Sequence, residues 1–486
     1  MPASPNYYSM LGVLRDASPE AIKRAYVEAA QRLHPDKNQA PGETEMFLEI
    51  QQAYETLSNP KRRAQYNASL PKEEPPSSPV NVQISYSRPN LVRLNESQLL
   101  YALLEVGARD QDVNIPAPPL NVCLVLDRST SMKDAKMDLL KAASIDVMRN
   151  MRADDIFSVV TFSDRAEVVI PASLQANRSK LESVIRSIQP AGATEMYQGL
   201  NAAFSEVQRN LDPRRVNHVI LLTDGHTYGD ENACLELAAR AAQLGIGISC
   251  MGIGSDWNDT FLDEIAMRTG NTSRYIARPL DIQKILTEKF KELTRRLAEE
   301  VTLEFQPPPG VSLNYAFRMQ PESGPLVIEK VMRLGPILRD THLGVLFEFL
   351  VHPQALLRAD SVAVLEGGLK VSMPARPTPA APLRVRFERG VGAEPGTEPP
   401  SGAILQALSK LTLYRMQERA RAQVQAGEFE KATRSLKHLA AHLLTQGQQG
   451  LAHTVMLEVE NLQRTNGITQ EGGKEIKYAT RALMMK

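Results

Sequence analysis

The sequence predicts a multidomain protein: an all-α hairpin at the N-terminus, an α/β doubly wound domain inserted in or flanked by a β-rich, sandwich-like domain, and an α-helical C-terminal region. Three observations carry this expectation. Two proline-rich stretches, 70–79 and 374–400, break the chain, and no helix interior survives such runs. Residues 120–297 alternate short apolar runs (LNVCLVLD, IFSVVTF, HVILLTDG, GISCMGIG) with helical stretches, the pattern of a parallel sheet covered on both faces. On either side, alternating runs such as VNVQISYSR, VTLEFQ and HLGVLFEFLV fit half-buried antiparallel strands. The expected divisions are an α-hairpin domain at 1–70, a linker at 71–79, a β-rich domain in two parts (80–117 and 298–392) around the α/β domain at 118–297, a linker at 393–402 and helices over 403–486.

Composition narrows the function classes. The 486 residues carry 56 Lys and Arg against 56 Asp and Glu, without the cationic excess of a nucleic-acid binder or a polybasic membrane binder. No run approaches the roughly 18 apolar residues of a membrane span, and the opening MPASPNYYSM lacks the basic start and apolar stretch of a signal peptide. A cytoplasmic protein with no nucleic-acid partner and no membrane span is expected. Cys123, Cys234 and Cys250 form no CxxC pair and are expected as buried, reduced thiols.

In the N-terminal part, Ile22, Ala25, Tyr26, Ala29, Ala30 and Leu33 recur at helical spacing after Ser18-Pro19, an N-cap followed by a proline at the first helical position. A second stripe runs through Met46, Phe47, Ile50, Ala53, Tyr54 and Leu57. Two such helices pack through their stripes and leave the connection HPDKNQAPGE exposed at the tip. With NYYSMLGV before it and EIQQAYETLSNPKRRAQYN after it, this region, 7–66, resembles a J domain. The resemblance implies that His34, Pro35 and Asp36 engage a DnaK-type ATPase chaperone and stimulate its ATP hydrolysis, helped by basic residues of the second helix, here Lys23, Arg24 and Arg32. Asp36 offers a carboxylate for a charge-assisted bond to a partner arginine, and Pro35 fixes the loop backbone. That basic face is thinner than the family's usual one, because Val27, Glu28 and Gln31 interrupt it. Residues 1–70 hold eight basic and eight acidic side chains.

In the α/β part, LNVCLVLDRSTSM ends an apolar strand in Asp127 and then offers Ser129 and Ser131. Thr194 in AGATEM and Asp224 in HVILLTDG add oxygens at other strand ends or loops. A carboxylate with alternating hydroxyls is a hard-oxygen set suited to Mg²⁺, with Mn²⁺ or Ca²⁺ as substitutes, and poorly suited to zinc or copper. In that order, DRSTS, GATEM and LLTDG resemble the metal-ion-dependent adhesion site of von Willebrand factor type A (VWA) domains. The resemblance covers about 120–297 and implies that Asp127, Ser129, Ser131, Thr194 and Asp224 hold one cation, Asp224 through water, to which a partner's carboxylate binds. His226 is expected at the rim. GISCMGIG lacks GxGxxG spacing, and no GxSxG elbow surrounds Ser129, so neither a dinucleotide site nor a serine hydrolase is expected.

The flanking strands resemble, in layout alone, the β-rich region that adjoins the VWA domain of inter-alpha-trypsin-inhibitor-like proteins. After Ala403 the sequence reads as a helical hairpin broken at Gly427 and ended at Gly447, suited to packing or self-association. The reading that follows is a non-enzymatic J-domain co-chaperone that recruits protein clients with an exposed Asp or Glu through a Mg²⁺-dependent VWA site. A non-catalytic adaptor or assembly scaffold whose J domain only docks is the alternative, and a metal-dependent hydrolase comes third.

Overall fold

The computed structural model describes residues 7–11, 19–33, 43–69, 80–108, 116–174, 178–227, 229–357, 359–376 and 381–484. These fall into two units, Met1–Ser77 and Ser78–Lys486.

The first unit holds α1 (Tyr7–Leu11), α2 (Pro19–Leu33), α3 (Glu43–Leu57) and α4 (Pro60–Ser69). Its core is the predicted stripe pair: Ile22, Ile50, Ala53 and Leu57 are buried with Leu11, and Tyr26 stacks on Tyr54 with centroids 4.2 Å apart. Asn59 starts α4 by accepting hydrogen bonds from the backbone N–H groups of Lys61 and Arg62, with Pro60 at the first helical position. Tyr66 of α4 closes the unit by stacking on Tyr7 at 4.4 Å.

The second unit opens with β1 (Val80–Tyr86), β2 (Leu91–Val92) and β3 (Gln98–Ala108). The α/β domain follows as β4 (Leu120–Asp127), α5 (Ala135–Arg149), β5 (Ile156–Phe162), β6 (Ala166–Leu174), α6 (Arg178–Arg186), α7 (Met196–Arg209), β7 (Val216–Thr223), α8 (Glu231–Gln243), β8 (Gly247–Ile253), α9 (Asp259–Arg268), β9 (Ser273–Ile276) and α10 (Ile282–Thr294). The chain then returns to strands: β10 (Arg296–Gln306), β11 (Val311–Gln320), β12 (Gly324–Pro325), β13 (Val331–Leu338) and β14 (Leu343–Val351). A short α11 (Pro353–Leu356) precedes β15 (Ser361–Ser372) and β16 (Leu383–Gly392). It ends in α12 (Gly402–Gln425), α13 (Phe429–Thr445), α14 (Gln449–Thr465) and α15 (Gln470–Met484).

The six-stranded sheet runs β6-β5-β4-β7-β8-β9. It is parallel except at one edge, where β6 returns antiparallel beside β5. That hairpin departs from the wholly parallel sheet expected; the Ser163–Arg165 connection is too short for a crossover, so the strands it joins must be antiparallel. One face of the sheet packs under α5 and α10, the other under α7, α8 and α9, so β4, β5, β7 and β8 are buried along their whole length and are mostly apolar. Cys123, Cys234 and Cys250 are buried free thiols in the second of these layers, and burial pushes all three up, Cys123 to about 12.

The strands before and after the α/β domain join the same two five-stranded sheets, β1-β3-β14-β11-β12 and β13-β10-β15-β16-β2. Their inner faces share one core in which Phe347 and Phe349 meet the ring of Phe387 edge-on. The α/β domain is therefore an insertion between β3 and β10. A buried ionic cluster fixes the junction: Lys289 reaches Glu292 at 2.9 Å and Glu322 at 3.0 Å, and Arg274 reaches the same two carboxylates. Burial alone would raise Glu322, but Lys289, Arg274 and Arg318 hold it well below the usual carboxylate range.

The C-terminal region is built of helices throughout its described length, as expected. Gly427 and Gly447 do end α12 and α13, each with positive φ, and the N–H groups of Glu428 and Gln448 turn back to the carbonyls of Gln423 and Leu443. Beyond them come two more helices, and the last one packs on the α/β domain. Within the segment 393–402, expected as a linker, the Glu394 carbonyl accepts from Asn90 at 2.9 Å and the Gly396 N–H donates to the Asn90 side chain. The expected linker at 71–79 lies outside the described residues. Among the described residues no helix is long and apolar enough to cross a membrane.

Candidate metal centre and chaperone-docking face

Asp127 ends β4, the strand between β5 and β7, and Asp224 directly follows β7. Chain connections leave the sheet in opposite directions here, which opens a crevice at the carboxyl ends of the strands. Four of the five residues expected to hold a cation are joined there by hydrogen bonds. Asp127 Oδ1 accepts from the Ser129 N–H at 2.8 Å, the Ser129 and Ser131 hydroxyls are 2.9 Å apart, and Ser131 donates to Asp224 Oδ1 at 2.6 Å. Asp127 and Ser129 are buried, Ser131 is exposed.

Thr194 reaches the crevice through its loop. The Thr130 N–H donates to the Gly192 carbonyl, the Ala191 N–H donates to the Arg128 carbonyl, and the Ala193 N–H donates to Asp164 Oδ1 at 2.5 Å. Gly192 has φ +83°, and a Cβ there would strike Asp164. Thr194 Oγ1 then lies 3.2 Å from where a Cβ on Gly225 would stand, so the glycine after Asp224 lets this loop approach.

The electrostatics fit a cation. Asp127 is raised to about 6, because burial and the charge of Asp224 outweigh the hydrogen bonds from Thr223 and Ser129 that lower it. Two carboxylates thus face one desolvated crevice. Ser131 spends its proton on Asp224, which leaves its lone pairs for an ion. Among the described residues no three His, Cys, Asp or Glu side chains gather as a metal cluster. The set assembled here is two carboxylates with neighbouring hydroxyls, the hard-oxygen chemistry of Mg²⁺ rather than of zinc.

Sequence reasoning missed several supports. Thr223 donates to Asp127 Oδ2 at 2.6 Å, fixing the carboxylate from the neighbouring strand. Thr227 accepts from the Met196 N–H and donates to Asp230, tying the Thr194 and Asp224 loops together. Lys136, at the start of α5, places Nζ 2.5 Å from Asp224 Oδ2. Thr223 was legible as the residue before Asp224; Lys136 gave no signal, because a lysine in a first helical turn reads as solvated.

His226, expected at the rim, lines a cleft of about 260 Å³ between the α/β domain and the last helices, with Trp257, Asn258, Arg421, Ile468 and Lys474. The floor of this interface is ionic. Arg421 grips Asp259 at 2.5 and 2.7 Å, Lys477 bridges Asp259 at 2.5 Å and Asp263 at 2.8 Å, and Arg481 grips Asp263 at 2.7 and 2.8 Å. Tyr478 shares a 2.6 Å hydrogen bond with Ser273, which in turn donates to Asp263.

On the first unit, Lys23 is exposed on α2 beside Val27, which is 42% exposed. Arg24 and Arg32 belong to the same helix, but their side chains, like the whole of His34, Pro35 and Asp36, lie outside the described residues.

Comparison with known proteins defines the class by its parts. A DnaJ domain model matches 6–67, a von Willebrand factor type A domain model matches 121–288, and the model described as Sll0103-like, C-terminal alpha-helical domain matches 402–486. The protein is a multidomain chain with a J domain, a VWA-like α/β domain, a β-rich region and a helical C-terminal domain. Among its relatives, the uncharacterized protein sll0103 of Synechocystis sp. is 28% identical over 235 residues, 46% of this chain and 55% of that protein. Human DnaJ homolog subfamily B member 14 is 49% identical over 69 residues, 14% of this chain and 18% of its own length. Human inter-alpha-trypsin inhibitor heavy chain H4 is 30% identical over 199 residues, 38% and 21% respectively. The chain thus spans about half or less of these relatives. A von Willebrand factor type A structure from Catenulispora acidiphila superposes with a TM-score of 0.66 at 17% identity, over 84% of this chain and 98% of that one, and shares its fold. No enzyme family is among these matches.

Proposed function

We propose that this protein is a co-chaperone whose J domain stimulates a DnaK-type (Hsp70-type) ATPase, and whose VWA domain recruits protein clients through Mg²⁺ held by Asp127, Ser129, Ser131, Thr194 and Asp224. The observation that carries this reading is the convergence of two buried carboxylates and the hydroxyls beside them at the carboxyl edge of the sheet, in a chain that also bears a J domain. A cation there supplies the positive charge at which an exposed Asp or Glu of a client docks; Mn²⁺ or Ca²⁺ can substitute. The chain's own residues do the rest. Thr223 and the Ser129 N–H hold the Asp127 carboxylate in place, Ser131 turns its proton toward Asp224, and the neutral hydroxyls dilute the negative charge so that the ion stays electrophilic.

The J-domain half is tested by single-turnover ATPase assays with the cognate chaperone. His34→Gln and Asp36→Asn are expected to reduce stimulation to the basal rate while the helical content is kept, since neither residue lies on the apolar stripes. Stimulation equal to wild type in both variants rejects this half and leaves a scaffold whose J domain only docks.

The balanced charge of residues 1–70 also predicts weak salt dependence of chaperone binding, because few opposite-charge pairs are available to be screened. Glu28→Lys is expected to raise the association rate, read by stopped-flow. A steep fall in affinity between low and physiological salt in the wild type contradicts the argument.

A further inference from the structure

We propose that Lys136 is a built-in counter-cation of the Asp127–Asp224 crevice, competing with the divalent ion for Asp224 and so setting the ion concentration at which the site loads. This rests on the metal reading of the crevice and adds a regulating residue to it.

Lys136 Nζ lies 2.5 Å from Asp224 Oδ2 and 3.4 Å from the Ser131 carbonyl. The Asp224 side chain is wholly enclosed, whereas that of Lys136 is 32% exposed, so the ammonium reaches in from a stem that borders solvent. The other oxygen of Asp224 accepts the Ser131 proton. Lysine and cation therefore address one carboxylate through neighbouring groups. Arg128, in the same loop, is turned to Glu167 at 3.6 Å. Lys136 is thus the basic group seated on the ligand set.

Charge arithmetic gives the direction. Asp127 and Asp224 carry two negative charges and Lys136 one positive, so a divalent ion entering beside the lysine meets a net charge of minus one and a like charge close by. Without the lysine it meets both carboxylates uncompensated, and binding tightens. A long, flexible lysine can also withdraw to solvent when the ion enters, which gives a graded competitor rather than a permanent block.

The test is calorimetric titration of the full chain with Mg²⁺, using wild type, Lys136→Met, Lys136→Arg and Asp127→Asn. Lys136→Met is expected to bind roughly tenfold tighter, within the usual range of coupling between two linked ligands. Lys136→Arg should stay close to wild type. Melting provides a second readout: without added ion Lys136→Met should melt below wild type, because Asp224 loses its counter-charge, and it should gain more from saturating Mg²⁺. Equal or weaker Mg²⁺ binding by Lys136→Met overturns the role given to Lys136 while leaving the site intact. Absence of any Asp127-dependent heat in both wild type and Lys136→Met overturns the metal reading, and this inference with it. Lys136→Gln, which keeps a donor without the charge, answers the same question if the methionine variant does not fold.

Discussion

Asp263→Ala is expected to destabilise the docking of the last helix on the α/β domain by about 3–5 kcal/mol, the usual cost of removing one partner from a buried ion pair. Asp263 is 6% exposed and takes both Arg481 and Lys477. Its loss leaves the Arg481 guanidinium facing a buried surface without a counter-charge. The only tryptophan, Trp257, lies in this interface, 6.0 Å from the ring of Tyr478, and is 1% exposed. Its emission therefore reports undocking directly, and a red shift with a lower urea midpoint is the expected reading. An unchanged Trp257 midpoint in Asp263→Ala would falsify the assignment of this cluster as the clamp.

The same interface sets a pH window. Burial would raise Asp259 and Asp263, but Arg421 and Lys477 at the first, and Arg481 and Lys477 at the second, hold both well below the usual carboxylate range. A depressed folded-state pKa contributes stability that is present above the unfolded value of about 3.9 and is lost as pH falls through the folded value. The Trp257 signal should accordingly be flat from neutral pH to about pH 4 and change only below it. Undocking between pH 5 and 6 contradicts the sign of these shifts.

Asp127→Ala is expected to abolish Mg²⁺ binding heat and, with it, Mg²⁺-dependent capture of a client, a complete loss rather than a graded one. Asp127 belongs to the acidic pair of the crevice and accepts from both Thr223 and the Ser129 N–H, so no neighbour can replace it. The fold should persist, because Val122, Leu124 and Leu126 of the same strand remain fully buried in the core. The orphaned Thr223 hydroxyl costs about 1–3 kcal/mol, offset in part by removing a carboxylate held in a desolvated place. Pull-down with wild type and Asp127→Ala, in Mg²⁺ and in chelator, is the check; retention of the client by Asp127→Ala, or by wild type in chelator, means that recruitment lies elsewhere.

Much of this architecture was written in local patterns. The stripes of α2 and α3, the glycines that end α12 and α13, the apolar runs of the sheet and the alternating strands around it each follow from the period of one element. A buried face needs apolar residues at that period wherever the partner lies. The order DRSTS, GATEM, LLTDG indicated the candidate oxygens through its resemblance to the metal-ion-dependent adhesion site; Asp127 and Asp224 stand at strand ends, whereas Thr194 comes from a loop before α7.

What the sequence could not express were the buried charges. In the sequence nothing sets Lys477 and Arg481 of α15 apart from surface cations, or Asp259 and Asp263 of α9 apart from surface carboxylates. Neither segment carries a sign that the other is its counter-charge more than 200 residues away. Lys136 was hidden for the same reason, because an ammonium in a first helical turn is ordinary until the fold brings Asp224 beside it. Apolar burial is non-directional and needs only the right residue class at the right period, so the sequence by itself determined the elements and their faces. A buried ion pair is tolerated only when two particular atoms meet at about 3 Å, and that meeting was decided by the tertiary structure alone.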